Sequence, residues 1–191
     1  MMLTSPYAGV IVSLPILFVV AYSLKLLPKR LKEIFIVKNL VVAVAWSLIP
    51  IYVAAFIGFE PHLLMSSFIV SIFIFLRIFI GVVMFDIRDV AGDIAAGIQT
   101  IPVRLGVEKS LVIVRFGNIG SFILFISAAI CGMLNSVVAI SAAVIAFCMG
   151  FAYEWAVKQD KIDFRLFCDV VVDSEYVLLG LPALFHSLVK I

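Results

Sequence analysis

Residues 85–106 read FDIRDVAGDIAAGIQTIPVRLG. Asp86, Asp89 and Asp93 follow the spacing D-x-x-D-x-x-x-D, with Arg88 and Arg104 nearby. On a helix, positions i, i+3 and i+7 share one face. Three carboxylates side by side repel one another unless a cation stands between them. Mg²⁺ meets that need, because it takes oxygen ligands, keeps several waters and shares its shell with substrate phosphates. Asp86, Asp89 and Asp93 are therefore candidate Mg²⁺ ligands, and Arg88 and Arg104 candidate donors to phosphate oxygens. Gly92 and Gly97 are expected to let the chain turn below the helix end. A calcium loop wants acidic ligands at alternate positions and a Glu at the twelfth, which this stretch lacks. A second cluster, Lys29, Arg30 and Lys32, lies in AYSLKLLPKRLKEIFIVKN, residues 21–39. Carboxylates with a metal, set beside cations, suit a diphosphate ester, whose departing group gathers negative charge. The plainer readings are a polar helix end for the aspartates, and for the lysines a topology signal that touches anionic lipid.

The elements that must position these residues are apolar. The 191-residue chain is 65% hydrophobic and 14% charged, whereas soluble domains are near half apolar and a quarter charged. This is the composition of an integral membrane protein. A spanning helix needs roughly 20 mostly apolar residues, and six stretches qualify: about 7–27, 38–58, 63–85, 110–133, 136–157 and 166–188. Backbone polar groups in lipid must be paired internally, and these runs are far too long for barrel strands. The expected fold is all-α, a polytopic transmembrane helix bundle of about six spans, with residues 1–191 forming a single domain. Pro15, Pro50 and Pro182 are expected to kink their helices. The N-terminus lacks the basic region of a secretory signal and reads as a retained first span.

The loops alternate in charge. The odd-numbered ones carry Lys25, Lys29, Arg30, Lys32 and Lys38, then Arg88, Arg104 and Lys109, then Lys158, Lys161 and Arg165; the second and fourth carry no Lys or Arg. The positive-inside rule places the odd loops, including 85–109, in the cytoplasm and both termini outside. A multi-pass protein of the cell membrane follows, with lipid as its surroundings and no nucleic-acid partner. Cys131, Cys148 and Cys168 are widely spaced and read as apolar packing residues.

Other polar residues fall within the spans. Arg77 is expected to face the bundle interior, reaching a substrate or pairing with an acid. Asp169, Asp173 and Glu175 lie near the start of the last span, where Asp169 and Asp173 share a face and an internal hydrogen-bonded role outweighs acceptor positioning. Tyr153 and Trp155, flanking Glu154, read as an aromatic anchor at the membrane boundary. His62 and His186 suggest no role.

The stretch DIRDVAGDIAAGIQTIPVRLG resembles the second aspartate-rich motif of the UbiA-type intramembrane prenyltransferases. The matching positions are Asp86, Asp89, Asp93, Gly97, Thr100, Pro102, Val103 and Gly106. YSLKLLPKRLKEIFIVKN is similar to an upstream family segment through Tyr22, Ser23, Lys29, Arg30 and Asn39. The resemblance implies an all-helical fold of nine spans around a cavity open to lipid. It also implies two aspartate motifs that hold Mg²⁺ and an isoprenyl diphosphate. The allylic C–O bond ionises, and a lipophilic acceptor captures the cation. Acceptors across the family include aromatic quinone precursors, haem, chlorophyll precursors and glyceryl ethers. The first motif of the family, between its second and third spans, has no counterpart here. The six spans would match the family's fourth to ninth, so the domain reads as N-terminally truncated, with another chain as a candidate source of the first motif.

The resulting expectation is a Mg²⁺-dependent membrane prenyltransferase that moves an isoprenyl group from a polyprenyl diphosphate to an aromatic or other lipophilic acceptor. Asp86, Asp89 and Asp93 are its metal and catalytic residues, with Tyr22 and Ser23 near the allylic carbon. Lys29, Arg30, Asn39 and Arg88 contact substrate. The alternative is a noncatalytic or truncated membrane subunit that binds lipid diphosphate or a partner chain.

Overall fold

The computed structural model describes residues 35–57, 60–159 and 162–189, together with Ser13. Every regular element among them is helical. In chain order they are α1 (Val37–Ser47), α2 (Ile49–Ile57), α3 (Pro61–Arg88), α4 (Val90–Ala95), α5 (Ile101–Leu105), α6 (Val107–Ile130), α7 (Ser136–Val157), α8 (Phe164–Phe167), a π-helical turn (Cys168–Val172) and α9 (Asp173–Val189). Among the described residues, four stretches are long and apolar enough to cross a membrane: Val37–Ile57, Pro61–Arg88, Val107–Ile130 and Ser136–Val157. They coincide with the second to fifth expected spans. Apart from Ser13, the first expected span, 7–27, lies outside the described residues, and so does Pro15. The sixth is helical from Phe164 to Val189 but passes through the π turn.

Local chemistry sets the helix limits. Pro50 has no N–H to donate, and the second span breaks at Leu48 into α1 and α2. The α9 helix continues through Pro182. Asn135 caps α7 by accepting from Val138 N at 3.2 Å. Asp163 caps α8 by accepting from Arg165 N and Leu166 N at 3.0 and 3.1 Å.

The long helices are α1–α2, α3, α6, α7 and α9. α3 packs on α1, α2 and α6, and α7 packs on α6 and α9. Lipid tails are as apolar as leucine, so helices in a bilayer associate through close packing rather than water exclusion. The buried face of α7 shows how: Ala139, Ala142, Ala143, Ala146, Met149, Gly150, Tyr153 and Ala156 recur at steps of three and four. Small side chains let α6 approach closely. A Cβ at Gly150 would lie 2.9 Å from Asn118 Cγ, and one at Gly117 2.9 Å from Ile80. The outer surface is the reverse of a soluble protein, with Phe56, Phe68, Phe116, Ile123, Ile130, Phe151 and Phe185 all more than half exposed. Lipid is the solvent that such a surface requires.

Inside the bundle sits a polar network. Arg77 of α3 is 1% exposed and Glu175 of α9 is 0% exposed. They form a close ion pair through Nη2 and Oε1. Arg77 Nη1 donates to Asn118 Oδ1, and Tyr153 Oη donates to Glu175 Oε2. Asn118 Nδ2 donates to the Val114 carbonyl at 3.0 Å. Four helices, α3, α6, α7 and α9, thus meet at one buried charge pair. Arg77 pairs with an acid as expected. Tyr153 corrects its expectation: it is fully buried and bonded to Glu175, while Trp155, 56% exposed, keeps the boundary position.

Candidate active site at the aspartate end of the bundle

The loop ends that hold Lys38, Asp86, Lys158 and Asp163 gather at one end of the bundle, because neighbouring helices run antiparallel. Asp86 lies in the last turn of α3 and is 2% exposed. A carboxylate there opposes the helix dipole, whose C-terminal end is already negative. Two groups from the first turn of α1 compensate. Lys38 Nζ donates to Asp86 Oδ1 at 2.7 Å, and Asn39 Nδ2 donates to Oδ2 at 2.8 Å. Ile36, just before α1, adopts a left-handed backbone with φ 62°. That conformation costs a β-branched residue on the order of 1–3 kcal/mol, and it sits directly ahead of the turn that delivers Lys38 and Asn39.

Asp89 sits at the break between α3 and α4, with φ −97° and ψ 6°. The three aspartates therefore do not continue along one helix face, which corrects the i, i+3, i+7 expectation. Arg88 Nε and Nη2 donate to the two Asp89 oxygens at 2.8 Å each. That fork, helped by the Arg88 charge, holds the Asp89 carboxyl below the usual carboxylate range. Arg88 Nη1 donates to Asp169 Oδ1 in the π turn. Asp86 and Asp89 thus each have a cation at hand. Asp93, on α4, differs. It is half-buried, and its Oδ2 is enclosed with no hydrogen-bond partner among the described residues.

The turn after α4 is made by Gly97, at φ 68°, with Ile98 N donating to the Asp93 carbonyl at 2.8 Å. Gly92 stays helical within α4, so the turn expected of both glycines belongs to Gly97 alone. Thr100 and Pro102 are buried at the start of α5, and the Thr100 hydroxyl has no partner among the described residues. Gly106, at φ 85°, separates α5 from α6. Arg104 lies over the Phe35 ring, 4.4 Å from its centroid, so it packs on the chain entering α1.

Of the remaining expected site residues, Asn39 joins the aspartates. Tyr22, Ser23, Lys29 and Arg30 lie outside the described residues, as does Lys32. Lys38, read from the sequence only as a topology charge, is a site residue. Its signal was its place next to Asn39. Among the described residues, no three His, Cys, Asp or Glu side chains form a ready metal cage. Mg²⁺ bound with a diphosphate asks less, since it takes one or two carboxylates and fills its shell with phosphate oxygens and water. The enclosed, unpaired Asp93 oxygen and the solvent-facing Asp89 fit that mode. Asp86 is buried, with one hydrogen bond on each oxygen, from Lys38 and from Asn39.

An all-α membrane bundle with carboxylates and cations interleaved at one end is the class that fold and site define. The model of the UbiA prenyltransferase family matches residues 1–168. The chain belongs to that family. No curated protein and no solved structure matches it. Membership supports a membrane prenyltransferase in general.

Proposed function

We propose that the aspartate end binds an isoprenyl diphosphate with Mg²⁺, and that the protein transfers the prenyl group to a lipophilic acceptor. The enclosed oxygen of Asp93, unpaired beside two cation-bound aspartates, carries the reading. Asp89 and Asp93 would hold the metal, which when bound draws charge from the leaving diphosphate. Lys38 and Arg88 stand within the same cluster and supply N–H donors to phosphate oxygens. Asn39 holds Asp86, which keeps Lys38 in place. We assign this end to the cytoplasm, from the basic residues of the odd loops.

Binding of farnesyl diphosphate to the purified chain tests the reading. Binding should require Mg²⁺ and be lost with EDTA. Asp93→Asn should weaken it about tenfold or more, the worth of a charge-assisted contact. Equal affinity with and without EDTA would overturn the metal role. The sidedness has its own reporter. Cys131, exposed at the opposite end, should react with an impermeant maleimide from outside the cell, and Ala95→Cys only after the membrane is opened.

A further inference from the structure

We infer that a groove between α6 and α7 on the lipid-facing surface holds a membrane phospholipid, with its phosphate on Arg115 and one acyl chain against Phe147 and Phe151. The groove has a volume of about 320 Å³ and is lined by Arg115, Asn118, Ile119, Phe147, Phe151 and Glu154 besides Gly150. Its charged residue is the anomaly. Ionisable side chains within spans face the bundle interior or a wet cavity. Arg77 obeys that rule, but the Arg115 side chain is 51% exposed on a helix long enough to span.

Glu154 answers only part of the guanidinium. Its two oxygens accept from Arg115 Nε and Nη2 at 2.7 Å each. Arginine has five N–H donors in a fixed fork, so three remain, two on Nη1 and one on Nη2. Glu154 is the guanidinium's one hydrogen-bonded neighbour among the described residues. At the membrane boundary these donors are open to lipid phosphate as well as to water. A phosphate monoanion presents oxygens in the geometry that an arginine fork accepts.

The surroundings set the rest of the ligand. Glu154 lies three residues before the end of α7, about 4.5 Å of helix rise, and Trp155 beside it is exposed as boundary aromatics are. That is headgroup depth. From the ion pair the groove runs inward over Ile119, four residues after Arg115, and over Phe151 and Phe147, three and seven residues before Glu154. All three are at least 40% exposed. A polar tip above an apolar trough is the outline of a phosphate with an acyl chain. Because Arg115 and Glu154 neutralise each other, recognition rests on phosphate hydrogen bonds rather than net charge, so zwitterionic and anionic phospholipids both qualify.

Native mass spectrometry of the full chain from mild detergent, with dioleoylphosphatidylethanolamine or dioleoylglycerol added, tests this. One phosphatidylethanolamine should be retained at least several-fold more than dioleoylglycerol, and millimolar inorganic phosphate should not displace it. Arg115→Gln should lower retention about tenfold. Glu154→Gln should raise it, because the second edge of the guanidinium is freed. Phe151→Ala, at a lipid-facing position, should lower it while leaving thermal stability intact, which keeps the test valid if Arg115→Gln folds poorly. Equal losses for Arg115→Gln and Glu154→Gln would make the pair purely structural and overturn the inference. So would equal retention of the two lipids, displacement by free phosphate, or a dimer that dissociates in Arg115→Gln, which would give the groove to a second copy.

Discussion

The buried network around Arg77 and the boundary cluster around Arg88 are built from the same kinds of side chain yet are finished differently. Arg77 and Glu175 are enclosed on all sides, with Tyr153 and Asn118 as further partners, and only Arg77 Nε in this group has neither a hydrogen bond nor an ion-pair contact among the described residues. Arg88 and Asp89 are partly exposed, and Asp93 keeps an enclosed oxygen without a partner. In the interior, a charge that loses its partner has nowhere to turn. At the boundary, water, phosphate or a metal ion can replace it. The first arrangement suits holding helices together, and the second suits exchanging ligands.

The sharpest break in this comparison is Glu175→Ala. Removing one partner of a buried pair costs about 3–5 kcal/mol, so the variant should lose folded yield and melt far earlier in detergent. Arg77→Met combined with Glu175→Leu should regain most of that stability, since apolar replacement of both charges is often neutral. No recovery in the double variant would mean that the network does more than pair its own charges. At the boundary the pattern should invert. Lys38→Ala should weaken farnesyl diphosphate binding by about 1.5–3 kcal/mol, with a smaller loss of melting temperature. A large fall in melting temperature with unchanged binding would place Lys38 with the structural group.

Gly150→Ala probes the interior more gently. Its new Cβ would meet Asn118, and over-packing of this kind costs about 1–3 kcal/mol. Thermal melts should show that loss, and a melting temperature equal to the parent's would mean that Asn118 gives way at no cost. The smallest effect is the pH response of Asp89. Its carboxyl is held low by Arg88, so the contribution is present above the unfolded value near pH 4 and is lost as the pH falls through the lower folded value. The side chain is well exposed, which limits the contribution to about 1 kcal/mol or less. The gap in melting temperature between the parent chain and Asp89→Asn should therefore be small at pH 7 and close in acid.

Much of this was legible before the fold. The spans stood out because their apolar runs match a bilayer, and the aspartate stretch stood out because carboxylates are rare beside such runs. What escaped depended on rotation about helix axes. Tyr153 and Glu154 are neighbours in sequence, but 100° apart on α7, so one enters the core and the other faces the groove. The small-residue rhythm from Ala139 through Gly150 carries that information, and Tyr153 falls on it. The break at Asp89 left no comparable mark. Around it, Asp86 pairs with α1 and Arg88 with Asp89 and the π turn. The part of the site that includes Tyr22, Ser23, Lys29 and Arg30 lies outside the described residues.

One further consequence follows from the placing of the two arginines. Arg77 and Arg88 are eleven residues apart, close to three full turns, so α3 presents both along one stripe. Glu175 meets the first and Asp169 the second, so the end of the chain is fastened at two heights. Both acids follow residue 168, where the family match stops. The upper fastening is shared property. An anion that displaces Asp169 from that guanidinium would free the π turn, and thermodynamic linkage makes such a competition run both ways. Ligand binding at the aspartate end, as proposed, and the seating of the π turn would then be two readings of a single equilibrium.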